Sequence, residues 1–323
     1  MTQFVECDPG SPRGAGGGSS EGEPLVSVRP PEQSPRPEPT WDEAIVIAHE
    51  VIDGYYHRLV LRSPSIVERA MAGQFVMVTV PASTGEKVLL PRPMAIHRRR
   101  VGTGDLELIF SVVGRGTGAL ARVVAGDTMI VTGPLGRGFE VVAEAHSVLL
   151  VAHGSGICAV MTVAEDMRAR GVATTALLST AFRSTALGAD DCVELGVEAM
   201  FVAEDDGSST AEMITDALRR RFDAAPPSVI LACGAPSLVR AAVSLGVRWG
   251  VPVQVSLEAH MACGLGYCHG CAAPVAASSD PEGPLVCRDG PVFDGFTPAA
   301  VRPAPRHPPV KKWRSRPEAG LGR

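Results

Sequence analysis

The sequence predicts an antiparallel β-barrel followed by a parallel α/β sheet, with a short cysteine-bearing segment hanging off the last strand. Three observations carry this. From Trp41 to Gly138, short runs of β-formers are punctuated by Gly, Pro and Asp, as in an antiparallel barrel or sandwich. From about Ala143, near-continuous apolar strands alternate with segments of helical period, which indicates a parallel sheet covered on both faces. Between Glu258 and Thr297, four cysteines follow the spacing C-x4-C-x2-C-x15-C.

Residues 1–40 read as an unstructured tail, because Gly14-Ala15-Gly16-Gly17-Gly18 and the later Pro30, Pro31, Pro35, Pro37 and Pro39 cannot bury a core. The barrel unit, 41–140, is expected to use strands at 44–52, 55–61, 74–80, 106–113 and 128–132. One helix, 118–124, interrupts it, with Thr117 as its N-cap. The α/β unit, 141–257, is expected to hold strands at 147–152, 172–178, 199–203, 228–232 and 251–257. Helices are expected at 157–170, where Ile157, Val160, Ala164 and Met167 share one face, and at 211–221 and 236–249. The cysteine segment occupies 258–297. Residues 298–323 form a proline-rich tail whose seven Lys/Arg against one acid, Glu318, read as a solvated basic end. No internal repeat is evident.

With 323 residues, 45% hydrophobic and 20% charged, the composition is that of an ordinary globular chain of two or three domains. A net charge of −5 carries no general nucleic-acid footprint, and no apolar run approaches the ~20 residues that span a bilayer. The first residues lack the apolar stretch of a signal peptide, so a cytoplasmic location with reduced thiols is expected. Cys158 and Cys233, inside apolar segments, read as buried thiols. Cys7 and Cys192 read as incidental ones.

Cys263, Cys268 and Cys271 sit in the glycine-laced run Met261-Ala262-Cys263-Gly264-Leu265-Gly266-Tyr267-Cys268-His269-Gly270-Cys271, and Cys287 follows later. Three thiolates from one tight loop plus one from a later segment is the plant-type arrangement for a [2Fe–2S] cluster. Glycines let the backbone curl round the inorganic core and turn N–H groups toward its sulfurs. A zinc site would show a second C-x2-C knuckle or a Cys/His mixture, and disulfides would need an oxidising compartment. His269 has no matching second histidine, which disfavours a Rieske centre.

Other motifs lie at the ends of strands. Arg92-Pro93-Met94-Ala95 ends a barrel strand, and Gly114-Arg115-Gly116-Thr117 joins a strand to a helix. A guanidinium and a helix-opening turn suit the pyrophosphate of a flavin dinucleotide, although both motifs also serve as plain structural turns. Gly154-Ser155-Gly156-Ile157 follows the first parallel strand, and Cys233-Gly234 ends a later one. Ligands of open α/β sheets bind at that edge, so both turns are candidates for a dinucleotide, with a tight structural turn as the alternative. The acidic run Glu204-Asp205-Asp206-Gly207 reads as a solvated turn.

Taken in order with Gly133-Pro134-Leu135-Gly136-Arg137-Gly138-Phe139 and Cys287-Arg288-Asp289-Gly290-Pro291-Val292-Phe293, these motifs resemble the electron-transfer subunits of NAD-dependent dihydroorotate dehydrogenase, within the ferredoxin-reductase superfamily. The resemblance runs from about Glu43 to Gly295. It implies FAD at Arg92, Pro93, Met94 and Ala95, at Ile109, Phe110 and Ser111, and at Gly116 and Thr117. It implies NAD at Gly154, Ser155, Gly156, Cys233 and Gly234, and [2Fe–2S] on Cys263, Cys268, Cys271 and Cys287. It also implies an FMN-containing catalytic subunit as partner, in a heterotetramer. Electrons from dihydroorotate would leave that FMN, cross the cluster to FAD and pass to NAD+ in pyrimidine biosynthesis. No catalytic residue is expected in this chain itself.

Several positions depart from the family pattern. Ala95 replaces a serine, Ser111 a common arginine, His153 a glycine, Ala159 a proline, and Ala235 the proline of Cys-Gly-Pro. Two rival readings use the same residues: a flavin and iron–sulfur subunit of another cytoplasmic oxidoreductase, of hydrogenase or transhydrogenase type, and a non-redox scaffold holding zinc.

Overall fold

A computed structural model describes residues 27–29, 37–273 and 283–296. Strand β1 (Ser27–Arg29) is followed by six strands: β2 (Thr40–Ile52), β3 (Tyr56–Arg62), β4 (Phe75–Val78), β5 (Arg92–Arg100), β6 (Asp105–Ser111) and β7 (Thr128–Leu135). These six close into a barrel in the order β2-β3-β6-β5-β4-β7, every pair antiparallel. Alternation along the strands turns Leu59, Leu61, Val76, Val78, Met94, Ile96, Leu106, Leu108 and Val131 into the closed interior. Two short helices, α1 (Pro64–Val67) and α2 (Arg115–Leu120), lie in the connections.

The second half is β8 (Ser147–His153), α3 (Gly156–Arg170), β9 (Ala173–Thr180), α4 (Ala189–Leu195), β10 (Glu198–Ala203), α5 (Ala211–Phe222), β11 (Val229–Cys233), α6 (Pro236–Trp249), β12 (Val253–Ser256) and β13 (Val292–Phe296). One seven-stranded sheet results, in the order β1-β13-β12-β11-β8-β9-β10. Its five strands β12-β11-β8-β9-β10 are parallel, and β13 and β1 add two antiparallel strands at one edge. Helices α5 and α6 cover one face. Helices α3 and α4 cover the other, in a core that continues into the barrel through Tyr56, Ile109, Ala72 and Phe139.

The architecture is the expected one, with local differences. Ser27–Arg29, within the expected tail, pairs with β13 through Ser27↔Phe296 and Arg29↔Asp294. Backbone N–H and C=O groups supply that pairing, so composition does not register it. Residues 37–40, also within the expected tail, are described, and Thr40 already belongs to β2; the rest of both tails, with Cys7, lies outside the described residues. The helix expected at 118–124 starts earlier, at Arg115. Thr117 is therefore in its first turn, where its Oγ1 accepts from the N–H groups of Val113 (2.9 Å) and Gly114 (3.2 Å). Strand β5 extends well past the motif that marked it, because four consecutive polar residues from His97 to Arg100 mask its alternation. Among the described residues no helix is long and apolar enough to cross a membrane.

Candidate functional site

The cysteine segment is built into the barrel wall. Phe75 and Met77 on β4 and Leu135 on β7 form one buried cluster with Cys271, Leu285, Val286, Cys287 and Phe293. Backbone bonds stitch the segment to itself and to its neighbours. Val286 N donates to Cys271 O (2.8 Å), Arg137 N to Gly290 O (2.5 Å) and Leu257 N to Pro291 O (2.9 Å). Gly264, at φ +69°, lies flat on this wall: a Cβ there would stand 2.5 Å from Met77 Cγ. Gly264→Ala is accordingly expected to cost about 1–3 kcal/mol of overpacking and strain. It should lower the iron and sulfide recovered on reconstitution, and full recovery at an unchanged melting temperature would contradict this account.

Backbone N–H groups point at the sulfurs. Cys263 Sγ accepts from Leu265 (3.4 Å) and Cys268 (3.5 Å), Cys287 Sγ from Gly266 (3.1 Å), and Cys271 Sγ from Cys287 (3.5 Å). At Cys263, burial works against ionisation, but the N–H groups of Leu265, Cys268 and Tyr267 outweigh it and bring the thiol down to about 6. At Cys287, burial and the adjoining Cys271 push the thiol up to about 12. Cys263 neighbours Cys268 and Cys271 neighbours Cys287, while Cys263 also acts on Cys287. Among the described residues no three His, Cys, Asp or Glu converge as a single ion requires. The pairs differ in exposure: Cys271 and Cys287 are buried, Cys263 is half-buried and Cys268 is exposed.

The residues expected to meet the flavin come together on the barrel. Arg92 lies across the start of α2, where a Cβ on Gly116 would stand 2.7 Å from Arg92 Cδ. The side chain is steadied by its Nε donating to Pro91 O (3.0 Å). Arg92 and the Gly116-Thr117 turn therefore form one cradle, with a cationic group beside a helix start. Ala95, on the same strand as Arg92, packs on the core shared with the α/β layer. Ile109 and Phe110 on β6 are buried, and Ser111 at its end is half-buried. Phe110 stacks on His57 at 5.2 Å. Cys158, just inside α3, reaches Ile109 O with its thiol (3.9 Å), and burial together with Asp191 and Glu258 pushes that thiol up to about 12.

The two glycine turns meet at the carboxyl ends of β8 and β11. A Cβ on Gly156 would stand 2.7 Å from Cys233 O, and one on Gly234 2.9 Å from the His153 backbone. Above Gly154 the space is open. Two side chains beside these turns have partners within the protein. Ser155 donates to Glu258 (3.1 Å), which opens the cysteine segment, so the glycine turn after β8 and the cysteine segment are directly linked. His153, in the position of a family glycine, is held sideways between Ser179 (2.9 Å) and Glu204 (3.6 Å). Cys233 is buried beneath Gly156. The acidic turn after β10 is partly neutralised, since Arg183 Nε pairs with Asp206 (2.5 Å).

Sequence reasoning missed the contacts that join the layers. His97, Arg98 and Arg99 on β5 reach Glu165, Asp166, Asp191 and Glu194 on α3 and α4. Burial works against the Asp191 carboxylate, but His97, Arg98 and Arg58 outweigh it and hold it well below the usual range. The one sequence signal was the unbroken basic run from His97 to Arg100 after the apolar stretch 93–96. Cys192, read as incidental, is buried on α4 in the core of this junction.

Comparison with known proteins agrees with this architecture. Residues 258–297 match the model of the iron–sulfur cluster binding domain of dihydroorotate dehydrogenase B. The electron transfer subunit of dihydroorotate dehydrogenase B (NAD+) from Streptococcus pneumoniae is 32% identical over 254 residues, covering 77% of this chain and 94% of that protein. Its counterpart from Geobacillus kaustophilus is 35% identical over 255 residues, with the same shares of each chain. Among solved structures, the NADH-dependent reduced ferredoxin-NADP oxidoreductase superposes with a TM-score of 0.66 at 25% identity, over 79% of this chain and 88% of that one. The ferredoxin reductase of carbazole 1,9a-dioxygenase shares the fold at a TM-score of 0.55 and 18% identity, over 68% and 70% of the two chains. A barrel, a parallel sheet and a four-cysteine segment in this order, with relatives of this identity along most of the chain, place the protein in the family of electron-transfer subunits of NAD-dependent dihydroorotate dehydrogenase B.

Proposed function

We propose that this chain links a separate FMN-containing dihydroorotate dehydrogenase subunit to NAD+, carrying electrons but no dihydroorotate site. When bound, [2Fe–2S] exchanges one electron at a time and FAD one or two, which converts single-electron arrival into hydride departure. Cys263, Cys268, Cys271 and Cys287 would hold the cluster. Arg92 and the Gly116-Thr117 turn would take the FAD pyrophosphate, while Pro93, Met94, Ala95, Ile109, Phe110 and Ser111 would flank the rest of the flavin. Gly154 and Gly156, with Gly234 opposite, would let NAD approach the backbone. Ser155 would orient the turn through Glu258, and Cys233 would serve as its buried floor. The partner assembly would be a heterotetramer in the cytoplasm, where the thiols stay reduced.

One observation carries the reading. Cys271 and Cys287 share a buried core with β4 and β7 of the barrel that also bears Arg92 and Gly116, so both electron carriers would rest on one rigid support. The test is reconstitution. NAD+ reduction by dihydroorotate should appear only when this chain is mixed with the FMN subunit, and a mixture without it would sink the pathway. A transhydrogenase-type role draws on the likeness to the ferredoxin-NADP oxidoreductase. It would be favoured if the chain instead copurified with, and passed electrons to, a different flavin or ferredoxin partner.

A further inference from the structure

Strand β5 does two jobs along one length of backbone. Its start carries Arg92 and Ala95, and its end carries His97, Arg98 and Arg99, which leave the barrel for the α/β layer. A β-bulge separates the two: Ile96 pairs with Leu108, but Arg98, not His97, pairs with Glu107. The extra residue re-aims the following side chains. Without it, Arg98 would share the inward face of Met94 and Ile96.

Redirected, the Arg98 guanidinium is 3% exposed and meets three carboxylates of the other layer. Nε donates to Glu165 on α3 (2.6 Å), Nη1 to Asp191 on α4 (2.7 Å) and Nη2 to Glu194 on α4 (3.0 Å). Asp191 is the matching node. Its Oδ1 takes Arg98, and its Oδ2 faces His97 (3.0 Å) on β5 and Arg58 (3.6 Å) on β3. Arg99 adds Asp166 and Glu165 on α3. Helix α3 is the helix that opens at the nucleotide turn. Arg98 lies about 10 Å along the strand from Ala95, and Glu165 about 13 Å along the helix from Gly156. The joint thus fixes two short levers, one ending at the flavin residues and the other at the nucleotide turn.

We propose that Arg98 and Asp191 are positioning residues that set the angle between the flavin barrel and the nucleotide layer, and thereby the rate of hydride transfer between NADH and the flavin. The proposal rests on the functional reading above. In that step NADH gives a hydride, two electrons together with its hydrogen, to the flavin and becomes NAD+, leaving an anionic reduced flavin that takes any further proton from solvent. Transfer needs close, oriented approach, and a displacement of about 1 Å can slow such a step about 100-fold. Besides its links to the α/β layer through Glu258 and β13, the cluster segment packs on β4 and β7 of the barrel that bears the flavin residues, so exchange between cluster and flavin should depend little on this joint.

The test uses the full chain carrying FAD and the cluster, with Asp191→Asn and, at the half-exposed edge of the joint, Glu194→Gln. Anaerobic stopped-flow bleaching of the flavin by saturating NADH should slow about 10- to 100-fold in Asp191→Asn and a few-fold in Glu194→Gln. The deuterium isotope effect from 4-deuterated NADH should rise. Cluster reduction through the photoreduced flavin, followed by paramagnetic resonance, should be unchanged. Amide hydrogen exchange in the flavin-free protein should speed up at α4 and at the end of β5. A joint that only stabilises the fold would alter exchange and melting but leave the bleaching rate as it was, and that result overturns the proposal. If Asp191→Asn does not fold, an unaltered rate in Glu194→Gln overturns it instead. Wild-type flavin that NADH fails to bleach would overturn the functional reading and this inference together, whereas equal bleaching in wild type and variants overturns this inference alone.

Discussion

Cys268→Ser is expected to abolish acid-labile sulfide and the paramagnetic signal of the reduced cluster while leaving most of the FAD in place. Cys268 is the exposed member of the four, so its side chain contributes nothing to the buried core of the segment. The substitution therefore removes a ligand without opening a cavity. Electron delivery from the FMN subunit should fall by more than the roughly 10- to 100-fold that losing a supporting partner of a metal ligand costs. NADH reduction of dyes through the flavin should persist. Cys287→Ser makes a contrast, because Cys287 is wholly buried between Phe293 and the barrel wall. There the loss of the cluster should come with a lower melting temperature, since a buried hydroxyl must find a partner. Iron and sulfide at wild-type levels in Cys268→Ser would remove this residue from the ligand set.

Arg92→Ala is expected to release FAD while sparing the cluster. A guanidinium bound to phosphate through charge-assisted hydrogen bonds contributes on the order of 1.5–3 kcal/mol, or about 10- to 150-fold in affinity. The side chain is also the lid over Gly116, so its removal uncovers the start of α2. Flavin fluorescence released on dilution would measure the change, and Arg92→Lys, which keeps the charge but not the fork, should recover part of the affinity. Flavin content equal to wild type at micromolar protein would show that the pyrophosphate lies elsewhere.

The two substitutions report on different legibility. The cysteine spacing was readable because a cluster imposes its own geometry on a short loop, whatever the surrounding fold. The order of barrel and parallel sheet was readable because side-chain alternation and helical period are local consequences of burial. Arg92 and Gly116 could each be named from sequence, but their mutual contact could not, since 24 positions separate them and it takes the antiparallel pairing of β5 with β6 to set the start of β5 beside α2. Ser155 shows the reverse. Its place in a glycine turn suggested a ligand contact, and the fold gives it Glu258 as a partner.

By itself, then, the chain determined its layers, its candidate cluster ligands and the strand ends where cofactors would gather, all of them set by short-range spacing. Tertiary structure alone decided that the cysteine segment shares a core with the barrel, that Ser27–Arg29 extends the sheet, and that His97, Arg98 and Arg99 leave the barrel for α3 and α4. Those outcomes depend on which distant groups can pair once water is excluded. A buried guanidinium must find carboxylates wherever the packed layers place them, and no local pattern records where that is.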